Sequence, residues 1–148
     1  MTQGNLILVV QRTINASAER LFDAWTKPEL MKQWFRGSEM KTPVAEADLR
    51  VGGAWQIVMT KSDGKSYPHQ GHYKVIDRPN KLVFTWNPFE GADYDTTVTL
   101  IFKKVSETVT EFTLTHEGFR DEEMKMGHLR GWNACLDTLE KWLNGGAK

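Results

Sequence analysis

The sequence predicts an α+β fold: a strongly curved antiparallel sheet of about six to seven strands, wrapped around one long C-terminal helix. Three observations carry that expectation. First, Met126, Leu129, Trp132, Leu136, Leu139 and Leu143 recur at steps of three or four, which draws an apolar stripe down a helix of about six turns at 3.6 residues per turn. Second, much of the preceding chain alternates apolar and polar residues, as in Trp55, Ile57 and Met59, or Leu82, Phe84 and Trp86. That period of two belongs to half-buried strands. Third, hairpin-length links such as Ser62-Asp63-Gly64-Lys65 join successive strands, so neighbours run antiparallel. A helix with so wide an apolar face needs a sheet to lie on.

In chain order, Asn5 to Ile14 is rich in β-branched residues and is expected as the first strand. Ser17 is a suitable N-cap for a helix over Ala18 to Thr26, on which Leu21, Phe22 and Trp25 share a face. Pro28 suits the first turn of a second short helix holding Leu30, Met31, Trp34 and Phe35. Strands are then expected from about Lys41 to Leu49, through Trp55 to Met59, from Tyr67 to Asp77, and through Leu82 to Trp86. Gly52-Gly53 and Arg78-Pro79-Asn80 punctuate them, and Asn87 to Asp93 is the longest irregular link. Tyr94 to Lys104 and Thr108 to Glu117 form the last hairpin, with Val98, Leu100 and Phe102 set against Thr110, Phe112 and Leu114. The acidic run Asp121, Glu122, Glu123 suits the positive end of the long helix's dipole. Gly131, Cys135, Thr138 and Trp142 widen its buried face, Arg130, Asp137, Glu140 and Lys141 face outward, and Asn144-Gly145-Gly146 stops it.

A chain of 148 residues fits a single domain spanning 1–148. Lys+Arg and Asp+Glu both number 19, and no segment concentrates positive charge, which speaks against nucleic-acid binding. The longest apolar run, Leu6 to Val10, is too short to span a bilayer. Met1 to Asn5 carries no positive charge of the kind that opens a secretory signal. One cysteine allows no internal disulfide. A cytoplasmic protein is expected.

Several motifs resemble a known family. The run from Arg12 to Thr26, with Pro28-Glu29 and Trp34-Phe35 after it, is similar to the opening of the helix-grip superfamily (START and Bet v 1-like, polyketide cyclase-like). More narrowly, it resembles the branch named after the activator of heat-shock-protein-90 ATPase. Asp48-Leu49-Arg50-Val51-Gly52-Gly53, Asp63-Gly64, Gly71-His72-Tyr73 and the run Arg78 to Trp86 continue the likeness. Val98-Thr99-Leu100, Thr113 to Phe119 and Gly131-Trp132 complete it, so the resemblance covers about residues 12 to 143. Ser17 stands where relatives often carry proline, and either residue can begin a helix. The resemblance implies a helix-grip fold, with an apolar cavity between helix and sheet. It is weak for biochemistry, because relatives on this fold bind lipids, hormones or polyketides, and some catalyse cyclisation or hydrolysis. The co-chaperone that names the branch has an additional amino-terminal domain, for which this length leaves no room. Chaperone contact is therefore disfavoured.

Candidate ligand-binding residues follow from alternation and from this cavity. Trp34 and Phe35 end the short helix pair, where the fold's cavity opens. Trp55, Met59, Tyr73 and Trp86, with Val98, Leu100, Phe102, Phe112 and Leu114, face the concave side. Gly131, Cys135 and Leu136 are roof candidates, Gly131 either packing closely on the sheet or leaving room for a ligand. His116 shares the face of Phe112 and Leu114. It is read either as a ligand's hydrogen-bond partner or general base, or as a buried histidine satisfied by backbone or by a side chain such as Glu117 or Thr115. His69 and His72 point to opposite faces of a strand, and His128 beside His116 is a weak metal signal. No cofactor or metal is expected, and no nucleophile–base–acid set is evident. A binding domain for a small hydrophobic or amphipathic molecule is the first reading, with a homodimer allowed. A cyclase- or hydrolase-like enzyme in the same cavity is the alternative. A protein-interaction or stress-response module, with Tyr67, Pro88 and Phe89 as its loop residues, is the second.

Overall fold

Alternation along the chain becomes seven strands in a computed structural model that describes residues 6–36 and 40–146. Asn5 and the Met1–Asn5 stretch discussed above lie outside them. The strands are β1 (Ile7–Ile14), β2 (Met40–Ala47), β3 (Ala54–Lys61), β4 (Ser66–Asp77), β5 (Lys81–Trp86), β6 (Thr96–Ser106) and β7 (Val109–Glu117). The helices are α1 (Ala18–Thr26), α2 (Pro28–Trp34) and α3 (Glu122–Lys141). Every pairing is antiparallel and the order is β1-β7-β6-β5-β4-β3-β2. Each link from β2 to β7 joins spatial neighbours. The segment carrying α1 and α2 connects β1 to β2, which sit at opposite edges.

The last hairpin departs from the expected register. Leu100 pairs with Leu114 and Phe102 with Phe112, while Val98 meets His116 and Thr110 meets Lys104. His116 thus joins the inward row directly. Register shifts at Lys41/Val44, Tyr73/Val75 and Lys104/Ser106 mark where the ladder is interrupted, and such irregularities bend and twist a sheet. Gly71 is needed where β4 is crowded by β5, because a Cβ there would collide with the Thr85 carbonyl.

Capping chemistry sets the helix starts. Ser17 Oγ accepts the Arg20 N–H at 3.1 Å, and Asp121 Oδ1 accepts the Met124 N–H at 2.7 Å. Pro28 occupies the first turn of α2. On α3 the buried face comprises Trp132, Cys135, Leu136 and Leu139, extended by Leu143 beyond its end. Met126, expected within that stripe, is instead exposed, and Gly131 is exposed too. Both lie in the half of the helix that stands off the sheet. The outward carboxylates are not idle. Arg12 on β1 donates to Asp137 and Glu140 at 2.8 Å each and to Asn133 Oδ1 at 2.9 Å, fastening α3 to an edge strand. The helix ends in a wider turn over Trp142–Gly146, with Gly145 at a φ of 120°.

The core fills one end of the concavity. Phe22 and Trp25 of α1 press onto Phe102 and Phe112, with ring centroids 5.5 Å and 5.7 Å apart respectively. Trp34 stands edge-on to Trp25 at 4.7 Å. The short helices plug this half, and the larger space between α3 and the sheet lies in the other half.

Candidate ligand cavity

A cavity of about 780 Å³ lies between the N-terminal half of α3 and the β3–β4–β5 part of the sheet. That is the size range of small-molecule sites. Period-two alternation places Tyr67 and His69 of β4 on its wall, with Met59 of β3 and Trp86 of β5. Helical spacing brings Met124, His128, Gly131 and Cys135 to one face of α3, with Trp132 beside them. Phe35, just past α2, and Met40, opening β2, close one side. The inner wall is formed by buried Phe35, Trp86, Pro88, Trp132 and Cys135. The mouth is exposed and carries Lys61, Lys65, Ser66, Phe89 and Glu90.

Two glycines shape the roof. A Cβ on Gly131 would meet nothing within 4 Å, and one on Gly127 would reach only the end of the Arg130 side chain, at 4.0 Å. Neither glycine is required for close packing. In a helix interior each costs roughly 0.5–1 kcal/mol relative to alanine, so their effect here is to leave room.

Histidines in the wall and behind it are held neutral. The Trp132 indole N–H, which can only donate, meets His116 Nδ1 at 2.9 Å. His116 Nε2–H therefore donates to Thr96 Oγ1 at 2.6 Å, and the Thr96 hydroxyl donates to the Trp86 carbonyl at 2.7 Å. The partners of His116 are thus Thr96 and Trp132, not Glu117 or Thr115. Burial, reinforced by His128 and His69 nearby, lowers its pKa well below the ordinary 6.5. By the same logic the Trp86 indole N–H donates to His128 Nε2 at 3.2 Å, and His128 Nδ1–H donates to the Met124 carbonyl at 3.0 Å. Burial also lowers the His128 pKa, partly offset by that carbonyl. His69 stacks on the Trp86 ring at 4.2 Å between centroids, and Nδ1–H donates to the Asn87 carbonyl at 3.0 Å. Its pKa falls to about 4, chiefly through burial, with the Asn87 carbonyl opposing and His128 adding. Burial pushes the Cys135 thiol up to about 12, so it stays protonated. Among the described residues no group of three or more His, Cys, Asp or Glu side chains is placed to hold a metal ion.

Of the residues expected to bind ligand, Phe35, Met59, Trp86, Gly131 and Cys135 line this cavity. Trp34 does not reach it: it is fully buried and its Nε1–H donates to the Ala24 carbonyl at 2.9 Å. Leu100, Phe102 and Phe112 lie in the plugged half, among the fully buried side chains. Trp55 and Tyr73 face a separate void of about 10 Å³, shared with Trp25, Met31 and Phe84. Phe35 borders both spaces and divides them. His116 sits behind Trp132 rather than on the wall. His69, His128, Met124 and the lysines at the mouth were not anticipated. The signal for two of them was present, since His69 shares the face of Tyr73 in β4, and His128 precedes Gly131 and Cys135 by three and seven residues.

The model of one protein family, the activator of Hsp90 ATPase homolog 1-like proteins, matches residues 15–144. The chain belongs to this family. Solved structures similar to this activator-of-Hsp90-ATPase-homolog-like chain include a protein from Nitrosomonas europaea, at 23% identity and a TM-score of 0.81 over 95% of this chain and 96% of that one. A protein from Chromobacterium violaceum is similar at 22% identity and a TM-score of 0.82, covering 91% and 94%. One from Silicibacter pomeroyi, carrying the family's name, is similar at 25% identity and a TM-score of 0.81, covering 93% and 97%. At these identities the structures speak to the fold. No curated protein sequence matches the chain. Among the described residues, no helix of this family member is long and apolar enough to cross a membrane.

Proposed function

We propose that the chain is a binding domain whose cavity holds one small hydrophobic or amphipathic molecule. The observation that carries this reading is the cavity of about 780 Å³ with a largely apolar, aromatic inner wall, roofed by two helical glycines whose side-chain space is open. Lys61, Lys65 and Glu90 at the mouth give an amphipathic ligand a polar end to meet. The enzyme alternative leaned on His116, but both nitrogens of that ring are engaged, leaving it no lone pair for a substrate proton. Tyr67, Pro88 and Phe89, the candidates for a protein-interaction surface, also line this cavity, Phe89 at its exposed mouth.

Titration with 1-anilinonaphthalene-8-sulfonate tests the reading. Expected are a blue-shifted, saturable emission at one dye per chain and quenching of tryptophan fluorescence, because Trp86 and Trp132 border the cavity. Absence of saturable binding would overturn it.

A further inference from the structure

The polar atoms of the inner cavity, taken one by one, say what kind of group the ligand must present. A neutral imidazole has one N–H donor and one acceptor nitrogen. His116 spends both on Trp132 and Thr96, and His128 spends both on Trp86 and Met124. His69 differs. The Asn87 carbonyl can only accept, so Nδ1 carries the proton and Nε2 is left with its lone pair. Among the described residues Nε2 has no hydrogen-bond partner, yet it is not among the side-chain nitrogens and oxygens enclosed without one. Nε2 is therefore accessible, on a residue that lines the cavity. Of the other charged and hydroxyl groups, Lys61, Lys65, Ser66 and Glu90 are solvated at the mouth, Tyr67 brings a half-buried phenolic hydroxyl that can itself turn to donate or accept, and Cys135 offers only a weak thiol donor.

An acceptor facing an apolar space calls for a donor. Resting on the cavity-binding reading, we propose that the ligand is a neutral hydroxyl-bearing molecule, a phenol or alcohol on an apolar and preferably aromatic skeleton, whose O–H donates to Nε2 of His69. A carboxylate has no proton to give. An ammonium group would pass Lys61 and Lys65 at the mouth, where Glu90 balances only one of the two charges. A hydroxyl satisfies the imidazole without bringing a charge into a low-dielectric site. The skeleton rests against Phe35, Tyr67, Trp86 and Trp132, whose rings favour flat partners.

The test uses a matched pair of probes, 4-hydroxystilbene and its methyl ether 4-methoxystilbene, followed by tryptophan quenching. The phenol is expected to bind the native protein about 3–10-fold more tightly, the range of one neutral hydrogen bond. His69→Phe retains a ring to stack on Trp86 but no acceptor, and should bring the ratio close to one. Nitrogen-15 spectra of the native protein give a second readout that does not depend on the variant's folding. The phenol should move the Nε2 resonance of His69, and the ether should leave it in place. Equal affinities, a preference that survives in His69→Phe, or an unmoved Nε2 resonance would overturn the proposal while leaving cavity binding intact. Failure of both probes together with the naphthalene sulfonate dye would overturn the binding reading itself.

Discussion

His116 shows how much one side chain couples. It is fully buried on β7, accepts from Trp132 on α3 and donates to Thr96 on β6, whose hydroxyl reaches the backbone of β5. Replacing it with phenylalanine keeps much of the volume and strands the Trp132 N–H. The His116→Phe variant should lose about 1–3 kcal/mol in urea melts, the cost of an unsatisfied buried donor. A change below about 0.5 kcal/mol would contradict that structural role. Acid should act through the same group of rings. The folded pKa values of His69, His116 and His128 lie below the unfolded value near 6.5, so the unfolded chain binds more protons in that window. Their contribution is complete above pH 6.5 and is lost as pH falls toward the folded values. For His69, falling from 6.5 to about 4 on folding, the loss at pH 5 is about 2 kcal/mol. Melting curves between pH 7.5 and pH 5 should show a decline at least that large, and a flat profile would mean the rings are not buried neutral. Alternation alone was enough to point His116 inward. It could not name Thr96 and Trp132, because those partners come from other elements and depend on the register of β6 on β7.

At the scale of elements, α3 does two things along its length. Its C-terminal half is core: Leu136 and Leu139 are fully buried, and Arg12 ties Asp137, Glu140 and Asn133 to β1. Leu136→Ala should therefore cost about 2–5 kcal/mol as a cavity-forming change. The N-terminal half stands off the sheet and roofs the cavity. Gly131→Leu fills that space while removing a helical glycine, so it should abolish dye binding and leave stability unchanged or raised by up to about 1 kcal/mol. Strong destabilisation instead would mean that Gly131 is packed against the sheet. The apolar stripe of this helix was readable from residue spacing, as were its acidic start and its glycine stop. The split in role was not. Met126 fits the stripe by spacing yet is exposed, since no periodicity reveals where a helix leaves its sheet.

For the whole molecule, seven antiparallel strands and one long helix follow from alternation and turn chemistry, and family membership agrees with that architecture. The cavity follows less directly. Alternation assigns a concave face, but whether a residue on it touches ligand space or core depends on what else occupies the concavity. Here α1 and α2 occupy one half, so Leu100, Phe102 and Phe112 are core while Trp86 and Met59 border open space. Phe35 is the partition between that space and the small void beside Trp55 and Tyr73. Methionine methyl spectra report on this division directly, because Met40, Met59 and Met124 line the cavity, Met31 lies beyond the partition, and Met126 is exposed outside it. On saturation with 1-anilinonaphthalene-8-sulfonate, the methyl resonances of Met40, Met59 and Met124 should shift, and those of Met31 and Met126 should stay in place. Shifts confined to Met126, or none at all, would contradict a ligand cavity between helix and sheet.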